Sequence, residues 1–523
     1  MAPSRVSAAP RRPLLWLCGI VTILMVVFAY LLALAIAAGL GLLTIGVLGS
    51  HSLVAIIIAT GAATCSASIL WSLAPRRDNF TPPGPAIDPA SQPRLFGEIA
   101  AIAAEFSEPM PSAVYLMLDP NAWVAQRGGM LGFGSRRVMA LGFPLLSVLT
   151  VSEFRAVVAH EFAHYYGGDT GFGPWTQKAR DALMRSLQRL SGESGFLSFL
   201  SRWAYVAILR IIVIYILALY WKLFLRLTLL VSRQWEYRAD ELASAVAGAT
   251  PLVNGLRKIP SAALAWQPFW TCEAVPSLSA GFRPPLAEGF SRFLEAPEVA
   301  RKLAPRVSEQ LEQETPGAFD THPTFHQRSE RALAHGFDPA PEDPAPAISL
   351  LDGPAEFEFS VLRALFPDSR IEASLPVAWE STGIAIYVPL WGQFTSEYRA
   401  VLEPYTVADI PDALANLSAI AARIRDPKGT LLTRDQRADR AASLLWMAFS
   451  LVLFCHGWEL HAQPGDFHFA KGRDQLIPSD LVLRLRQGIL SAEGYRDLVA
   501  HFGIGILPLA PPEAPPAGVS PIE

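Results

Sequence analysis

From Leu14 to Ala74 the chain runs for 61 residues in which the only ionisable side chains are Cys18, Tyr30, His51 and Cys65. One membrane crossing needs about 20 apolar residues. Gly and Ser gather in "TIGVLGSHS" at 44–52, a turn signal. The pattern predicts an N-terminal transmembrane hairpin over 1–75, with spans near 14–40 and 52–74. A cleavable signal peptide is the competing reading, but its apolar stretch is only about 7 to 15 residues and no second span follows it. Arg5, Arg11 and Arg12 precede the first span and Arg76 and Arg77 follow the second, while the loop carries neither Lys nor Arg. The basic ends should stay in the cytoplasm, and with them everything after residue 75.

Residues 76–93, "RRDNFTPPGPAIDPASQP", read as a Pro-rich linker that cannot continue the second helix. A helix is expected over 94–106, a short strand over 112–118, and a hairpin from "NAWVAQ" (121–126) and "RRVMALG" (136–142) around a Gly-rich turn. Ser152 with Glu153 makes a helix start and Gly167-Gly168 a stop, which predicts a helix from about 153 to 166. A polar amphipathic helix is expected over 174–191. Residues 203–230 are apolar, with Arg210, Lys222 and Arg226 as their only full charges. Helical, moderately polar segments continue to 336, so one domain is read over 94–336. "FDPAPEDPAPA" at 337–347 opens a linker over 337–349, too rigid and polar to pack as an element. A second soluble domain is expected over 350–507 and a disordered tail over 508–523. The apolar run 443–457 is 15 residues long and reads as a buried core helix, being short for a span.

Composition changes this picture little. The apolar fraction is 51% and the mean hydropathy +0.29, high for a chain wholly in water. Four scattered cysteines at 18, 65, 272 and 455 form no disulfide framework. A net charge of −4 without a basic run interleaved with aromatics excludes a nucleic-acid binder. Lys is scarce beside Arg and Ala and Pro are plentiful, which suits a GC-rich bacterium and hence its inner membrane.

Chemistry enters at 157–169, "VVAHEFAHYYGGD". His160 and His164 lie four apart and so project from one helical face, with Glu161 beside them. Chance alone would yield such a pattern on the order of 0.01 times in a chain of this length and His content. A catalytic zinc needs three protein ligands and an open position, which calls for a third partner. "SRQWEYRADELA" at 232–243 follows the apolar segment and sets Glu236 and Asp240 four apart on a probable helix. One carboxylate can bind metal while the other holds a ligand by hydrogen bond. Alternatively both are solvated carboxylates pairing with Arg233 or Arg238.

With these motifs the chain resembles the membrane-bound zinc metalloproteases that include HtpX-like heat-shock proteases and CAAX prenyl proteases. The likeness runs over roughly 90–335, through "NAWVAQ", "AVVAHEFAH", "SRQWEYRAD" and "THPTFHQR" in that order. It implies a mainly α fold with a small β-sheet: a zincin-like domain with a further membrane-associated helix behind the hairpin, and a C-terminal α+β accessory domain. It implies one Zn2+ on His160, His164 and Glu236, Glu161 as general base and Asp240 supporting a ligand. His322 and Arg328 would lie near the metal, stabilising the oxyanion or gating the open site. Asn121, Ala122, Trp123 and Val124 would form the strand along which an extended substrate lies. Read without the family, His322 before Pro can be a turn residue, and His326, His456, His461 and His468 are structural or solvated.

One difficulty follows. His164 and Glu236 must reach one ion, so the chain between them must begin and end on one side of the membrane. Residues 165–195 read as too polar for a crossing, and as a helix 203–230 spans about 42 Å, too little for two. HtpX-like relatives carry two crossings here. Two resolutions are open: the apolar segment is a partly immersed helix running straight into the Glu236 helix, which we favour, or the zinc lies at membrane depth. The leading function is a membrane-anchored zinc endopeptidase acting on membrane or membrane-proximal polypeptides. The alternatives are a catalytically silent membrane scaffold with a structural metal and, less well supported, a transporter with an accidental motif.

Overall fold

The computed structural model describes residues 13–49, 52–73, 78–129, 134–166, 184–188, 190–191, 204–313, 323–334, 336, 341–366, 369–426 and 431–510. The fold is mainly helical with small sheets. The chain divides into two compact units, residues 1–263 with 305–364, and residues 264–304 with 365–523. Residues 264–304, read above with the metalloprotease segment, therefore group with the C-terminal part of the chain.

In the first unit, helices α1 (Pro13–Leu48) and α2 (Leu53–Leu73) form the expected hairpin. They are antiparallel: Ser66 donates to the Ala37 carbonyl at 2.8 Å, and Thr44 lies against Ala59. A third apolar helix, which with α3–α5 ahead of it in the chain we label α6 (Ala204–Ala247), packs on both. Gly61 is where α2 and α6 come closest, since a Cβ there would stand 2.8 Å from the Val206 methyls. Small residues at such crossings are what lets apolar helices pack without a hydrophobic drive. Tyr220 on α6 donates to the Met25 carbonyl of α1 and stacks obliquely on Phe28. The outward faces stay apolar and exposed, including Leu31, Ile45, Ile208, Ile211 and Tyr215, as a lipid-facing surface should be. Among the described residues, four helices are long and apolar enough to cross a membrane.

The α6 helix runs unbroken from this bundle to Glu236, as the favoured resolution required. Val206 lies level with Gly61, and 30 residues later Glu236 is about 45 Å further along the axis. From Gly61 the α2 helix has only 12 residues, about 18 Å, left to run. The Glu236 turn therefore projects roughly 27 Å past the end of α2. Residues 165–195 read as too polar for a crossing, and their described part, 184–188 and 190–191, lies against the bundle. Leu187 and Leu190 pack in the apolar cluster of α1, α2 and α6. Arg185 donates to the Ser72 carbonyl at 3.1 Å and Arg210 to the Leu190 carbonyl. Arg185 thus sits at the end of α2 and Leu190 deeper, beside α6. Backbone carbonyls take the two charges, which a hydropathy scan cannot anticipate.

Beyond the bundle, α3 (Pro93–Glu105) and a three-stranded sheet precede the ligand helix. Strands β1 (Ala113–Met117), β3 (Arg136–Gly142) and β2 (Ala122–Arg127) lie in the order β1-β3-β2. The β2–β3 pair is the antiparallel hairpin read from the sequence, with β2 at the sheet's edge. Helix α4 (Phe143–Val148) leads into α5 (Val151–Ala163).

Two Pro-rich stretches read as linkers instead pack as edge pieces. Ile87 N–H donates to Val114 and Leu116 N–H to Pro85, laying residues 85–87 along β1. Gly84 approaches the Leu116 carbonyl so closely that a Cβ would stand 1.8 Å from it. Residues 343–347 dock on the start of α5, where Val151 N–H donates to Ala345 and Ala347 N–H to Leu149. Proline carbonyls still accept, so Pro is compatible with an edge that needs few donors.

The cap of α5 also differs from expectation. Its N-cap is Thr150: Thr150 Oγ1 accepts from Glu153 N–H at 3.2 Å, and Glu153 Oε2 accepts from Thr150 N–H at 2.8 Å. Ser152 instead accepts from Asp343 N–H at 2.7 Å, tying down the docked stretch. Lys258 Nζ adds an ion pair to Glu153 at 2.8 Å.

The second unit is centred on the helix Arg434–Cys455, whose Leu445, Ala448, Phe449 and Leu453 are buried among Trp391, Tyr495 and Phe469. Its apolar window is 56% buried, against 22–33% for the other three long apolar helices, which fits a core helix. A three-stranded antiparallel sheet follows over 459–476, and Gly289 leaves room for Trp379, whose ring lies 2.3 Å from where a Cβ would be.

Thr150→Ala removes one half of the capping box, and about 1 kcal/mol of stability should go with it. A lower thermal midpoint of the detergent-solubilised chain is the expected reading; an unchanged midpoint would show that the docked stretch alone holds the helix start.

Candidate active site

The α5 helix brings His160 to its last turn, and His164 caps it with αR backbone. The α6 helix packs against α5 along its final turns and presents Glu236 and Asp240 on one face, four residues apart. His160 Nε2 and His164 Nε2 lie 3.2 Å apart. The Glu236 carboxylate reaches His160 Nε2 at 3.5 Å and His164 Nε2 at 3.6 Å. A tetrahedral zinc with ligands at about 2.0–2.2 Å places neighbouring donor atoms roughly 3.4 Å apart. The three separations bracket that edge, so these residues fit the ion the motif implies. The next helix but one in the site, Phe325–Ala334, adds Arg328.

Behind the ligands, Asp240 Oδ1 lies 3.0 Å from His160 Nδ1. That contact holds the Nδ1 proton and leaves the Nε2 lone pair for metal. Arg328 grips Asp240 in a fork, Nε to Oδ2 at 2.8 Å and Nη2 to Oδ1 at 2.7 Å, with Nη1 3.6 Å from Glu236. Its hydrogen bonds thus go to the carboxylate behind His160. Arg238 pairs with Glu241 at 2.9 Å, so neither predicted carboxylate is a solvated group balanced by Arg238.

These contacts shape the titration of the metal-free site. Burial lowers the His160 pKa, but hydrogen bonds to Asp240 and Glu236 more than reverse this and carry it to about 10. Burial and the neighbouring His160 push His164 down to about 4. Burial also raises Glu161 above the usual carboxylate range, His160 opposing it. For Arg328, burial works against the charge and Asp240 more than compensates, keeping the guanidinium charged.

Glu161 Oε2 accepts from Val124 N–H on β2 at 3.3 Å, which sets this carboxylate against the edge strand. Ala122, Trp123 and Val124 lie on that strand, and Asn121 just precedes it. A cavity of about 670 Å³ opens between Asn121, Ala122, His160 and Glu161 on one side and Leu252, Leu256 and Ile259 on the other. Pro323, Thr324 and Arg328 also border it. His322 lies outside the described residues. His326 is exposed, and His461 and His468 form a stacked cross-strand pair in the second unit. The motifs gave no warning of the cavity wall from Ala249–Phe269, nor of Tyr165, whose hydroxyl donates to the Val124 carbonyl at 2.7 Å.

Two imidazoles and a carboxylate on a second helix form a group that could hold a metal ion, with a second carboxylate against an edge strand. Residues 89–335 match the model of Peptidase family M48, the family of HtpX and the CAAX prenyl proteases, which are zinc metalloproteases. The resemblance read from the four motifs is shown over that stretch. Neither the comparison with curated proteins nor that with solved structures gives a match.

At pH 7 the His160 proton, held up to about 10, must leave when metal binds. Zinc affinity should therefore rise with pH between neutrality and about 10. Calorimetry in buffers of different ionisation enthalpy should show about one proton released per zinc; no release would mean His160 is already neutral.

Proposed function

We propose that the chain is a membrane-anchored zinc endopeptidase that hydrolyses peptide bonds of membrane or membrane-proximal polypeptides, with the 94–336 domain on the cytoplasmic side of a bacterial inner membrane. The observation that carries this reading is the half-buried Glu161 carboxylate beside a three-donor cluster, because a purely structural metal needs no adjacent base. A zinc ion on His160, His164 and Glu236 would supply Lewis acidity, lowering the pKa of a water and polarising the scissile carbonyl. Glu161 takes the proton from the attacking water at its carboxylate and passes it to the departing amine nitrogen. Asp240, backed by Arg328, keeps His160 in the tautomer that leaves Nε2 free. Arg328 acts through Asp240.

An extended substrate adding to β2 in the antiparallel sense runs opposite to the strand, so its C-terminal side lies toward Ala122 and Asn121. That is the end where the apolar cavity opens. The reading therefore includes cleavage on the amino side of a bulky apolar residue, a kind of sequence frequent in membrane polypeptides. The scaffold alternative has no observation in its favour.

Glu161→Gln should keep one zinc per chain and lose about 10²- to 10⁴-fold in hydrolysis of an unfolded protein substrate. Mass spectrometry of wild-type products should place the cuts before Leu, Phe, Met or Ile. Undiminished hydrolysis by Glu161→Gln would remove Glu161 from the reaction and, with it, this mechanism.

A further inference from the structure

An edge strand accepts a new strand only through backbone groups that point away from its own sheet. Gly142 N–H donates to the Asn121 carbonyl at 2.7 Å, which sets the alternation of β2. Odd-numbered residues face β3, and Ala122, Val124 and Gln126 turn their N–H and C=O groups outward. Both outward groups of Val124 are already taken. Its N–H donates to Glu161 Oε2 at 3.3 Å, and its carbonyl accepts from the Tyr165 hydroxyl at 2.7 Å. Val124 is the outward residue beside the general base, so these are the groups an extended substrate would engage at the reacting centre.

Tyr165 is held in that place from behind. The Arg137 guanidinium stacks over its ring, 4.5 Å from the centroid, and Arg137 is itself paired with Glu108 at 2.8 Å. The backbone N–H of Tyr165 donates to Phe162, which fixes the residue one turn beyond the ligand helix. We propose that Tyr165 is a substrate-mimicking latch: its hydroxyl occupies the hydrogen-bonding position of a substrate amide on the Val124 carbonyl, and an incoming polypeptide must displace it to pair with β2. The latch rests on the endopeptidase reading and adds a positioning role for a residue next to His164. It closes the strand in the free enzyme, and only a chain extended enough to form several strand hydrogen bonds at once replaces the one that is lost.

The test compares the zinc-loaded full chain in detergent micelles with Tyr165→Phe, which keeps the ring and its Arg137 contact. With a quenched fluorescent peptide the variant should show a KM about fivefold lower, the equivalent of one neutral hydrogen bond, and kcat within about twofold of wild type. An unchanged or higher KM overturns the latch; so does a kcat about tenfold lower, which would make the hydroxyl a donor to the reacting centre. In the Glu161→Gln background, anisotropy of a labelled peptide should show binding about fivefold tighter when Tyr165→Phe is added. Equal affinities there also overturn the latch. Tighter binding without cleavage by wild type would leave the latch standing and remove the endopeptidase reading on which its purpose rests.

Discussion

The site depends on one chain of contacts, Arg328 to Asp240 to His160, which joins three helices at a point where none could hold a metal alone. Asp240 is 1% exposed, and an isolated carboxylate so buried would cost several kcal/mol. The forked Arg328 and the His160 ring share that cost, and the geometry that satisfies Asp240 also aims His160 Nε2 at Glu236. Breaking any member leaves a buried charge unpaired and frees the imidazole to rotate. The metal geometry and the packing of α5 on α6 are therefore two results of the same set of contacts.

That coupling gives the long α6 helix its meaning. Its apolar half packs by Gly61 and Tyr220 on the hairpin, and its polar end supplies Glu236 and Asp240. One continuous helix thus joins the apolar bundle to the Glu236 and Asp240 carboxylates.

Much of the site was legible because it is written in local spacing. The i, i+4 pairs His160–His164 and Glu236–Asp240 mark two helical faces, and the alternation in 121–126 and 136–142 marks the hairpin. What stayed hidden was set by long-range partners. Ser152 competed with Thr150 as a cap on equal local terms, and the docking of Asp343 on Ser152 decided it. The stretches 85–87 and 343–347 read as linkers because Pro and polar residues dominate them, yet their carbonyls serve as edge acceptors. The packing of 184–188 and 190–191 against the bundle depends on Arg185 and Arg210 reaching backbone carbonyls, which no local spacing encodes. Tyr165 carried no motif at all; its only signal was its position directly after His164. Arg328 was expected near the metal, stabilising the oxyanion or gating the open site; its fork on Asp240 depends on a fold no spacing rule encodes.

The central claim is that His160, His164 and Glu236 form one zinc site. X-ray absorption of the zinc-reconstituted full chain tests it most directly. The account predicts two imidazole nitrogens at about 2.0–2.1 Å with oxygen completing a four-coordinate shell, and one imidazole fewer in His164→Ala. A sulfur scatterer, a shell of six oxygens, or a spectrum unchanged by His164→Ala would contradict it.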